Sequence, residues 1–253
     1  MLAHLLPILT SEGEGKERVA RHCLEQPLSS TTARLPSPPH IPSRQEQYMN
    51  LPPELFERED SEDDSLFYAV PRLCTHIDPA AIDAVRVLFQ EALPVRGRIL
   101  DLMSSWRSHL PEGQPGRHVV GLGMNRAEME ENPQLDEFVV HDLNRCPVLP
   151  FRDGEFDATI CVVSIQYVVH PGKIFREVGR ILRKGGPLVV VFSHRCFPTK
   201  AVRLWRMTGD LEHGKIVQTY FRDSECFGPV EVLDRSPSEP PGDPVYAVIG
   251  SRA

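Results

Sequence analysis

Residues 157–192, DATICVVSIQYVVHPGKIFREVGRILRKGGPLVVVF, contain the pattern that decides the fold. Residues 157–163 and 187–192 are apolar almost throughout, which is typical of strands that are covered on both faces of a sheet. Between them a helix is predicted over residues 173–184, because apolar side chains recur there at helical spacing. This apolar stripe consists of Ile174, Phe175, Val178, Ile181 and Leu182. The segment therefore predicts a strand–helix–strand unit of a parallel sheet.

Further strands and helices are predicted on both sides of this unit. The additional strands cover residues 98–102, 118–122, 137–141, 229–233 and 245–249. The additional helices cover residues 78–93, 201–207 and 215–221. Alternating strands and helices predict a doubly wound parallel sheet, and the two closing strands predict an antiparallel edge. We therefore predict an α/β, Rossmann-like fold with a seven-stranded, mostly parallel sheet and an antiparallel edge strand.

The N-terminal part of the chain differs in composition from the rest. Residues 27–53 contain seven of the 24 prolines, with Ser and Thr between them and no sustained apolar period. Such a segment buries too little apolar surface to offset its ordering entropy. We predict a disordered Pro/Ser-rich and acidic tail over residues 1–60, a helical or lid segment over residues 61–94, and the sheet domain over residues 95–253.

Charge and hydropathy argue against several classes of protein. The net charge is −7, from 28 basic and 35 acidic residues, so no nucleic-acid partner is expected. No apolar run approaches the roughly 18 residues of a membrane helix, so no membrane partner is expected. The six cysteines are scattered without a CxxC pair, and no metal site is predicted. A cytoplasmic location is expected, because the acidic residues near the N-terminus argue against the alternative of organellar import.

Polar side chains follow four of the predicted strands, at the point where each strand ends. They are Asp101, Ser104, Ser105, Asn125, Asp142, Asn144, Ser164 and Gln166. In open parallel sheets, ligands bind outside the carboxyl ends of the strands, where the strand order reverses. The arrangement therefore predicts a site for a polar, nucleoside-like ligand.

Residues 141–193, HDLNRCPVLPFRDGEFDATICVVSIQYVVHPGKIFREVGRILRKGGPLVVVFS, resemble the class I S-adenosylmethionine-dependent methyltransferases, in particular the methyltransferase type 11 group. The shared features are an acidic strand end, an LPF-x-D-x-x-FD run into a strand, a helix that ends in RILRKGG, and the next strand. A weaker resemblance, to an uncharacterised methyltransferase-like subgroup, extends over about residues 95–250. It implies a methyltransferase-like domain over residues 95–253, S-adenosyl-L-methionine as the cofactor, and in-line methyl transfer to a small-molecule acceptor.

The resemblance also implies roles for individual residues. Asp101 stands where the family's carboxylate receives the methionine ammonium group, often through water. Asp142 stands where the family contacts the adenine amino group, with Leu143 beside the ring. Ser164 and Gln166 follow the fourth strand, where cofactor and acceptor meet. The complete cofactor-binding set that we predict is Asp101, Met103, Ser104, Ser105, Gly121, Gly123, Asn125, Asp142, Leu143, Ser164 and Gln166.

The chain departs from the family pattern in two places. The family's first loop, residues 103–107 here, is rich in glycine, whereas this loop carries larger side chains that are expected to narrow the space for the cofactor. An acid usually ends the second strand and pairs with the ribose diol. Gly123 ends it here, and Asn125 is expected to reach the hydroxyls instead. A catalytically inactive methyltransferase-like binding or assembly module is therefore the alternative to an enzyme.

No catalytic residue is assigned, because methyl transfer needs a general base only when the acceptor loses a proton. The candidates are His76, Tyr167, His170 and His194. Residues 67–72 and 195–206 are expected to cover the acceptor. A nicotinamide-dependent oxidoreductase is disfavoured, because residues 101–107 contain no glycine and so lack the G-x-G-x-x-G fingerprint. The acceptor and the oligomeric state are left open.

Overall fold

Seven strands form one sheet in the computed structural model, which describes residues 51–113 and 115–253. The strands are β1 (Gly97–Leu102), β2 (Arg117–Gly123), β3 (Glu137–Val140), β4 (Ala158–Val162), β5 (Pro187–Phe192), β6 (Phe227–Asp234) and β7 (Tyr246–Arg252). Their order across the sheet is β3-β2-β1-β4-β5-β7-β6. Strands β1 to β5 run parallel, and β7 is antiparallel to both of its neighbours. The prediction of a Rossmann-like, mostly parallel sheet with an antiparallel edge is confirmed.

Helices pack on both faces of this sheet. Those in the described residues are α1 (Asp64–Phe67), α2 (Pro79–Ala92), α3 (Arg126–Glu130), α4 (Pro171–Ile181), α5 (Arg203–Arg206) and α6 (Asp210–Ser224), with 3₁₀ turns at Pro53–Phe56 and Ile165–Tyr167. Asp78 caps α2, since its Oδ1 accepts a hydrogen bond from the Ala81 N–H at 2.9 Å. Within the described part of the chain, every helix is too short or too polar to cross a membrane.

The central strands contribute apolar side chains to both faces of the sheet. In β1, the buried side chains of Leu100 and Leu102 belong to the apolar cluster that includes α4 and α6, whereas Ile99 belongs to the cluster that includes α2. In β4, Cys161 and Ile160 divide between the two faces in the same way. Because neither face of these strands meets water, the sequence shows continuous apolar runs in place of alternation.

Residues 51–60 pack against the sheet domain, although the sequence predicted them to be part of a disordered tail. The buried Phe56 ring joins the apolar cluster beneath α6. The Arg203 N–H donates to the Glu57 carbonyl oxygen at 2.8 Å, which ties the segment to α5. The tail prediction is wrong for these residues, because one buried aromatic side chain and its backbone bonds offset the ordering entropy of a short segment. The rest of the predicted tail lies outside the described residues.

The connection between β1 and β2 contains no helix, so the predicted alternation of strands and helices is interrupted there. Residues 103–113 and 115–116, which are the described part of this connection, form loops and turns. Pro111, Gly113, Pro115 and Gly116 lie in this connection, and both residue types disfavour a helix. In the described residues, this flank of the sheet is therefore bordered by loop, where the sequence also predicted no helix.

Candidate functional site

A cleft of about 350 Å³ opens at the carboxyl ends of β1 to β4. This volume lies in the range that is typical of small-molecule sites. Besides the strand ends, its walls come from residues 64–76, which we name the cover segment, and from the loop of residues 195–197. Eight of the predicted cofactor-binding residues line it: Met103, Ser104, Ser105, Gly123, Asn125, Asp142, Leu143 and Ser164.

The first loop adopts a backbone conformation that favours glycine, although residues 103–107 include no glycine. Met103 has a left-handed backbone with φ of 61°, which costs a non-glycine residue on the order of 1 kcal/mol. The Ser104 N–H donates to the Leu122 carbonyl oxygen at 2.8 Å, so the loop lies against the end of β2. A Cβ atom added at Gly123 would overlap the Ser104 carbonyl oxygen. The close packing of the first loop therefore excludes any side chain at position 123, including the family's acid.

Asp101 lies behind the first loop and does not line the cleft. Its carboxylate is buried, and Oδ2 accepts hydrogen bonds from Ser104 Oγ and Ser108 Oγ, each at 2.6 Å. Burial raises the pKa of Asp101 to about 6, although the two serine hydroxyls act in the opposite direction. The carboxyl group borders a smaller cavity of about 60 Å³ that adjoins the cleft along the first loop. This volume is sufficient for a water molecule. A contact between Asp101 and an ammonium group through water therefore stays the prediction.

Gly121 and Gln166 were also predicted to bind the cofactor, but neither lines the cleft. A Cβ atom added at Gly121 would lie 2.6 Å from Leu135 Cδ1, so glycine is required there for packing inside the sheet. Gln166 is fully buried, and its Nε2 donates to the carbonyl oxygens of Val163 at 2.9 Å and Arg195 at 3.3 Å. This glutamine joins the loop after β4 to the loop after β5. Both residues therefore support the structure around the cleft without lining it.

Asn125 lines the cleft, but its amide holds the protein together. Its Oδ1 caps α3 by accepting the Glu128 N–H at 3.0 Å. Its Nδ2 donates to the Tyr68 carbonyl oxygen in the cover segment at 2.7 Å. Both polar atoms of the amide therefore serve the helix cap and the cover segment, and the contact of Asn125 with ribose hydroxyls stays a prediction.

Glu128 is a residue of the cleft that the sequence analysis missed. Its carboxylate is 7% exposed, and Oε1 accepts the backbone N–H of Arg72 at 2.7 Å. Its Oε2 accepts the hydroxyl of Ser105 at 2.6 Å, so one side chain joins the cover segment to the first loop. The spacing Asn125-x-x-Glu128 is that of a capping box and could have identified this acid. In the structure, the carboxylate turns to the cover segment and the first loop.

Asp142 occupies the predicted position at the end of β3. Its Oδ1 accepts the backbone N–H groups of Asn144 at 2.9 Å and Arg145 at 3.1 Å, which fixes the carboxylate within a tight turn. Its Oδ2 takes no part in these bonds. Leu143 follows with a buried side chain that lines the cleft. The pair thus presents one carboxylate oxygen and one apolar surface side by side, as the resemblance implied for an adenine site.

A buried ion-pair cluster supports the cleft beneath the cover segment. Asp64 is 4% exposed and pairs with Arg58 at 2.7 Å and with Lys200 Nζ at 3.1 Å. Lys200 is fully buried and also pairs with Asp60 at 3.0 Å. Burial alone would raise the pKa of Asp64, but the hydrogen bonds from Arg58, Asn144 and Lys200 outweigh it and lower the pKa. The ion pairs of Asp60 and Asp64 with Lys200 thus anchor α1 to the loop that follows β5.

Aromatic side chains form the part of the cleft away from the first loop. The rings of Tyr167 and Phe197 are stacked with centroids 5.9 Å apart, and the Phe197 N–H donates to Tyr167 Oη at 2.8 Å. The Arg72 guanidinium lies 5.3 Å from the Phe197 ring centroid, within cation–π range. Burial raises the pKa of Tyr68 and of Tyr167, so both phenols keep their protons. These groups offer flat apolar surface together with hydrogen-bond donors.

The four candidate bases divide into two pairs. His76 and Tyr167 line the cleft. His170 and His194 are exposed and do not line it. Desolvation, with a smaller effect of Arg72, lowers the pKa of His76, although Glu128 acts in the opposite direction. The imidazole of His76 is therefore neutral at pH 7 and has a nitrogen that can accept a proton.

The two segments predicted to cover the acceptor contribute unequally to the cleft. Tyr68 and Arg72 from residues 67–72 line it. Only residues 195–197 line it from the predicted stretch of residues 195–206, because the chain then turns away into α5. No group of three or more His, Cys, Asp or Glu side chains in the described residues is arranged to hold a metal ion.

Residues 111–190 match a protein family described as "Methyltransferase domain". The match covers β2, β3, β4 and the first residues of β5, and so includes Asp142 and the ends of three strands at the cleft. It begins after the first loop, where the chain departs from the family pattern. The recognition of a methyltransferase domain, made above from residues 141–193, is confirmed for this segment.

Two curated relatives are similar to part of this chain. A demethylmenaquinone methyltransferase from Paenarthrobacter aurescens is 34% identical over 115 residues, which are 43% of this chain and 42% of the relative. A norajmaline N-methyltransferase from Rauvolfia serpentina is 34% identical over 62 residues, 24% of this chain and 21% of the relative. The chain thus spans less than half the length of either relative. Among solved structures, an S-adenosylmethionine-dependent methyltransferase from Mesorhizobium loti is 18% identical with a TM-score of 0.49, covering 68% of this chain and 100% of that one.

Replacing Asp101 by Asn should stabilise the protein at pH 8. The folded-state pKa of about 6 lies above the ordinary value of 3.8, so ionisation of Asp101 opposes folding at high pH. The gain should shrink as the pH falls through 6 and vanish below about 4, where the wild-type carboxyl is protonated in both states. Urea unfolding at a series of pH values measures this difference. The exposed Asp153→Asn is the control, and a variant less stable than wild type at pH 8 would contradict the prediction.

Replacing Glu128 by Gln should loosen the cover segment. The amide can still accept the Arg72 N–H and can donate to the Ser105 hydroxyl, but both hydrogen bonds lose the assistance of the negative charge and weaken. We expect the Arg72 amide to exchange with solvent about tenfold faster, the equivalent of about 1.4 kcal/mol. Hydrogen exchange with mass spectrometry measures this rate. The control is Glu130→Gln, at an exposed position of the same helix, which should leave the rate unchanged. Equal exchange rates in the two variants would show that Glu128 does not hold the cover segment in place.

Proposed function

We propose that this chain, which carries a methyltransferase domain, is an S-adenosylmethionine-dependent methyltransferase that acts on a small-molecule acceptor. The observation that supports the proposal most directly is the cleft at the carboxyl ends of β1 to β4. Eight of the residues that the family resemblance assigns to the cofactor converge there. The cleft also has an aromatic part that none of these eight residues supplies, and which we assign to the acceptor.

The residues of the cleft suit the successive parts of the cofactor. Asp142 and Leu143 offer a carboxylate oxygen and an apolar surface for the adenine. We assign the ribose diol to Glu128, since packing excludes an acid at position 123 and each oxygen of this carboxylate keeps a second lone pair. Ser104 and Ser105 line the cleft along the first loop, where the methionine part is expected, with Asp101 reached through water.

Most of the protein's contribution to the reaction is positioning. S-adenosylmethionine, when bound, supplies a methyl group on a positively charged sulfur. The cover segment forms a wall of the cleft and is held there by backbone bonds to Asn125 and Glu128, a position from which it would shield bound reactants from water. Holding two reactants in the correct orientation is worth up to about 7–11 kcal/mol. His76 is neutral and lines the cleft, so it is the group that we expect to take a proton from an acidic acceptor.

The acceptor that fits the aromatic part is a planar ring that carries a hydroxyl or carbonyl oxygen. Phe197 and Tyr167 line the cleft and give it an aromatic wall against which such a ring can pack. The protonated phenol of Tyr68 lines the same part of the cleft and can donate a hydrogen bond to an oxygen. One curated relative is named for methyl transfer to demethylmenaquinone, an acceptor of this kind. We therefore propose a phenolic or quinol-type acceptor.

A catalytically inactive methyltransferase-like module remains the second candidate. It is favoured by the first loop, where the Met103 side chain lines the cleft and separates it from Asp101. If this side chain fills the methionine position, the domain keeps its fold and binds no cofactor. Cofactor binding distinguishes the two candidates, because only the enzyme requires it.

Calorimetric titration should show binding of S-adenosylmethionine and of S-adenosylhomocysteine to the full chain. Asp142→Asn keeps the Oδ1 acceptor of the turn but removes the charge, and we expect about tenfold weaker binding, the loss of roughly one charge-assisted hydrogen bond. Asp153→Asn, at an exposed position outside the cleft, should bind as wild type does. A wild-type protein that binds neither ligand would overturn the proposal in favour of the inactive module.

Transfer of a radiolabelled methyl group tests the acceptor class. A reduced naphthoquinol and simple phenols should be methylated in preference to an aliphatic amine. Tyr68→Phe should lower the acceptor kcat/KM by about tenfold, through loss of one hydrogen bond, and leave the Kd of S-adenosylmethionine unchanged. Preference for the aliphatic amine, or equal weakening of both ligands by Tyr68→Phe, would refute the assignment.

A further inference from the structure

Residues 195–197 form the part of the cleft wall that follows β5. They contribute Phe197 to the aromatic part of the cleft, which we assign to the acceptor. The loop after β4 holds this wall at two backbone groups. The Arg195 carbonyl oxygen accepts a hydrogen bond from Gln166 Nε2 at 3.3 Å. The Phe197 N–H donates to Tyr167 Oη at 2.8 Å. A third attachment of the wall comes from a distant part of the chain.

This third attachment is an ion pair between Arg195 and Asp243, which lies in the connection between β6 and β7. The guanidinium contacts the carboxylate through two nitrogen atoms, since Nη2 lies 3.0 Å and Nε 3.1 Å from Oδ1. The Asp243 side chain is 8% exposed, whereas that of Arg195 is 55% exposed. Arg195 lines the cleft and Asp243 does not. The pair thus joins the cleft wall to a buried carboxylate outside the cleft.

Reciprocal hydrogen bonds fix Asp243 against the start of α2. The Asp78 N–H donates to Asp243 Oδ2 at 3.1 Å, and the Asp243 N–H donates to Asp78 Oδ2 at 2.6 Å. A Cβ atom added at Gly242 would lie 2.7 Å from Asp78 Oδ1, so the two segments approach closely. Asp78 also caps α2, which packs against the sheet. Asp243 is therefore held in place by contacts that do not involve the cleft.

We propose that Asp243 is a positioning residue for methyl transfer, which acts through Arg195 to hold residues 195–197 as a wall of the acceptor site. This inference rests on the proposed function, because it takes the aromatic part of the cleft as the acceptor site. A carboxylate that is already fixed loses little further entropy when it pairs, so the ion pair restrains the wall. Phe197 then keeps the orientation in which it packs against an acceptor ring.

The ion pair is a feature of this chain beyond the segment that matches the methyltransferase family. That segment, residues 111–190, includes neither Arg195 nor Asp243. The two residues are 48 positions apart in the sequence, and Asp243 comes from the antiparallel part of the sheet. The pair thus gives the C-terminal part of the chain a direct connection to the acceptor part of the cleft.

The thiol of Cys196, which follows Arg195, reports the state of this wall in the full chain without any need for catalysis. Cys196 is half-buried and lines the cleft. Alkylation by iodoacetamide at pH 8, followed by mass spectrometry, should be about fivefold faster at Cys196 in Asp243→Asn and in Arg195→Gln than in wild type. The exposed Cys74 should react equally in all proteins, and the fully buried Cys161 should stay unlabelled if the fold is intact.

The two substitutions change the local charge in opposite directions. Loss of the Asp243 carboxylate favours the Cys196 thiolate, which is the reactive form, whereas loss of the Arg195 guanidinium disfavours it. A direct effect of charge would therefore accelerate labelling in one variant and slow it in the other. Faster labelling in both variants is expected only if the wall is less firmly held.

Transfer of a methyl group to a reduced naphthoquinol tests the consequence for the acceptor. Asp243→Asn keeps an oxygen acceptor for the Asp78 N–H but loses the charge that pairs with Arg195. We expect the acceptor KM to rise about fivefold, with kcat and the Kd of S-adenosylmethionine unchanged. The double variant should have the KM of Arg195→Gln alone, because both substitutions remove one interaction. The matched control is Asp83→Asn, which breaks an exposed Asp–Arg pair on α2 and should change neither labelling nor KM.

Four outcomes overturn the proposal. They are unchanged Cys196 labelling in both variants, faster labelling in only one of them, an acceptor KM that Asp243→Asn leaves unchanged, and increases in KM that add in the double variant. The last outcome would mean that Asp243 acts through α2 and not through Arg195. A wild-type protein that binds no S-adenosylmethionine overturns the proposed function, and with it the role of Asp243 in the reaction. The labelling of Cys196 decides even then whether Asp243 holds the wall.

Discussion

The contact between the first loop and the end of β2 is the constraint on which the cleft depends. Ser104 bonds to the backbone of β2, and its carbonyl oxygen occupies the space that a side chain at Gly123 would need. This contact leaves no room for an acid at the end of β2, and the carboxylate nearest to that position along the chain that lines the cleft is that of Glu128 in α3. It also sets Asp101 behind the loop, because the Ser104 hydroxyl bonds to that carboxylate. The glycine at position 123 and the position of Asp101 behind the first loop thus share one physical cause.

Two features of the residues around the cleft lower the stability of the protein. Asp101 is buried without an opposite charge, and Met103 holds a left-handed backbone. Unfavourable features of this kind persist only where the rest of the fold compensates for them, and they tend to cluster at functional sites. Here the compensation comes from the two apolar clusters on the sheet and from the ion pairs around Asp64 and Lys200.

Much of the sheet could be predicted from the sequence, because hydrophobic periodicity records burial directly. Asp142 was also predictable, since its position at a strand end follows from local order along the chain. Glu128 was not, because its role depends on the Arg72 backbone, which lies 56 residues away in the sequence. The fully buried Lys200 belongs to the same class of exception, since a lysine in a loop reads as exposed. Long-range polar contacts of this kind leave no periodic signal.

The cover segment is tied to α3 through main-chain atoms, the Tyr68 carbonyl oxygen and the Arg72 N–H. Every amino acid has that oxygen, and every one except proline has that N–H. The closure is therefore indifferent to most substitutions in the segment, whereas the side chains of the same residues face the cleft. Substitutions at these positions can thus change the chemistry of the cleft while the main-chain hydrogen bonds to Asn125 and Glu128 persist. New specificities can therefore evolve in this segment without loss of its position.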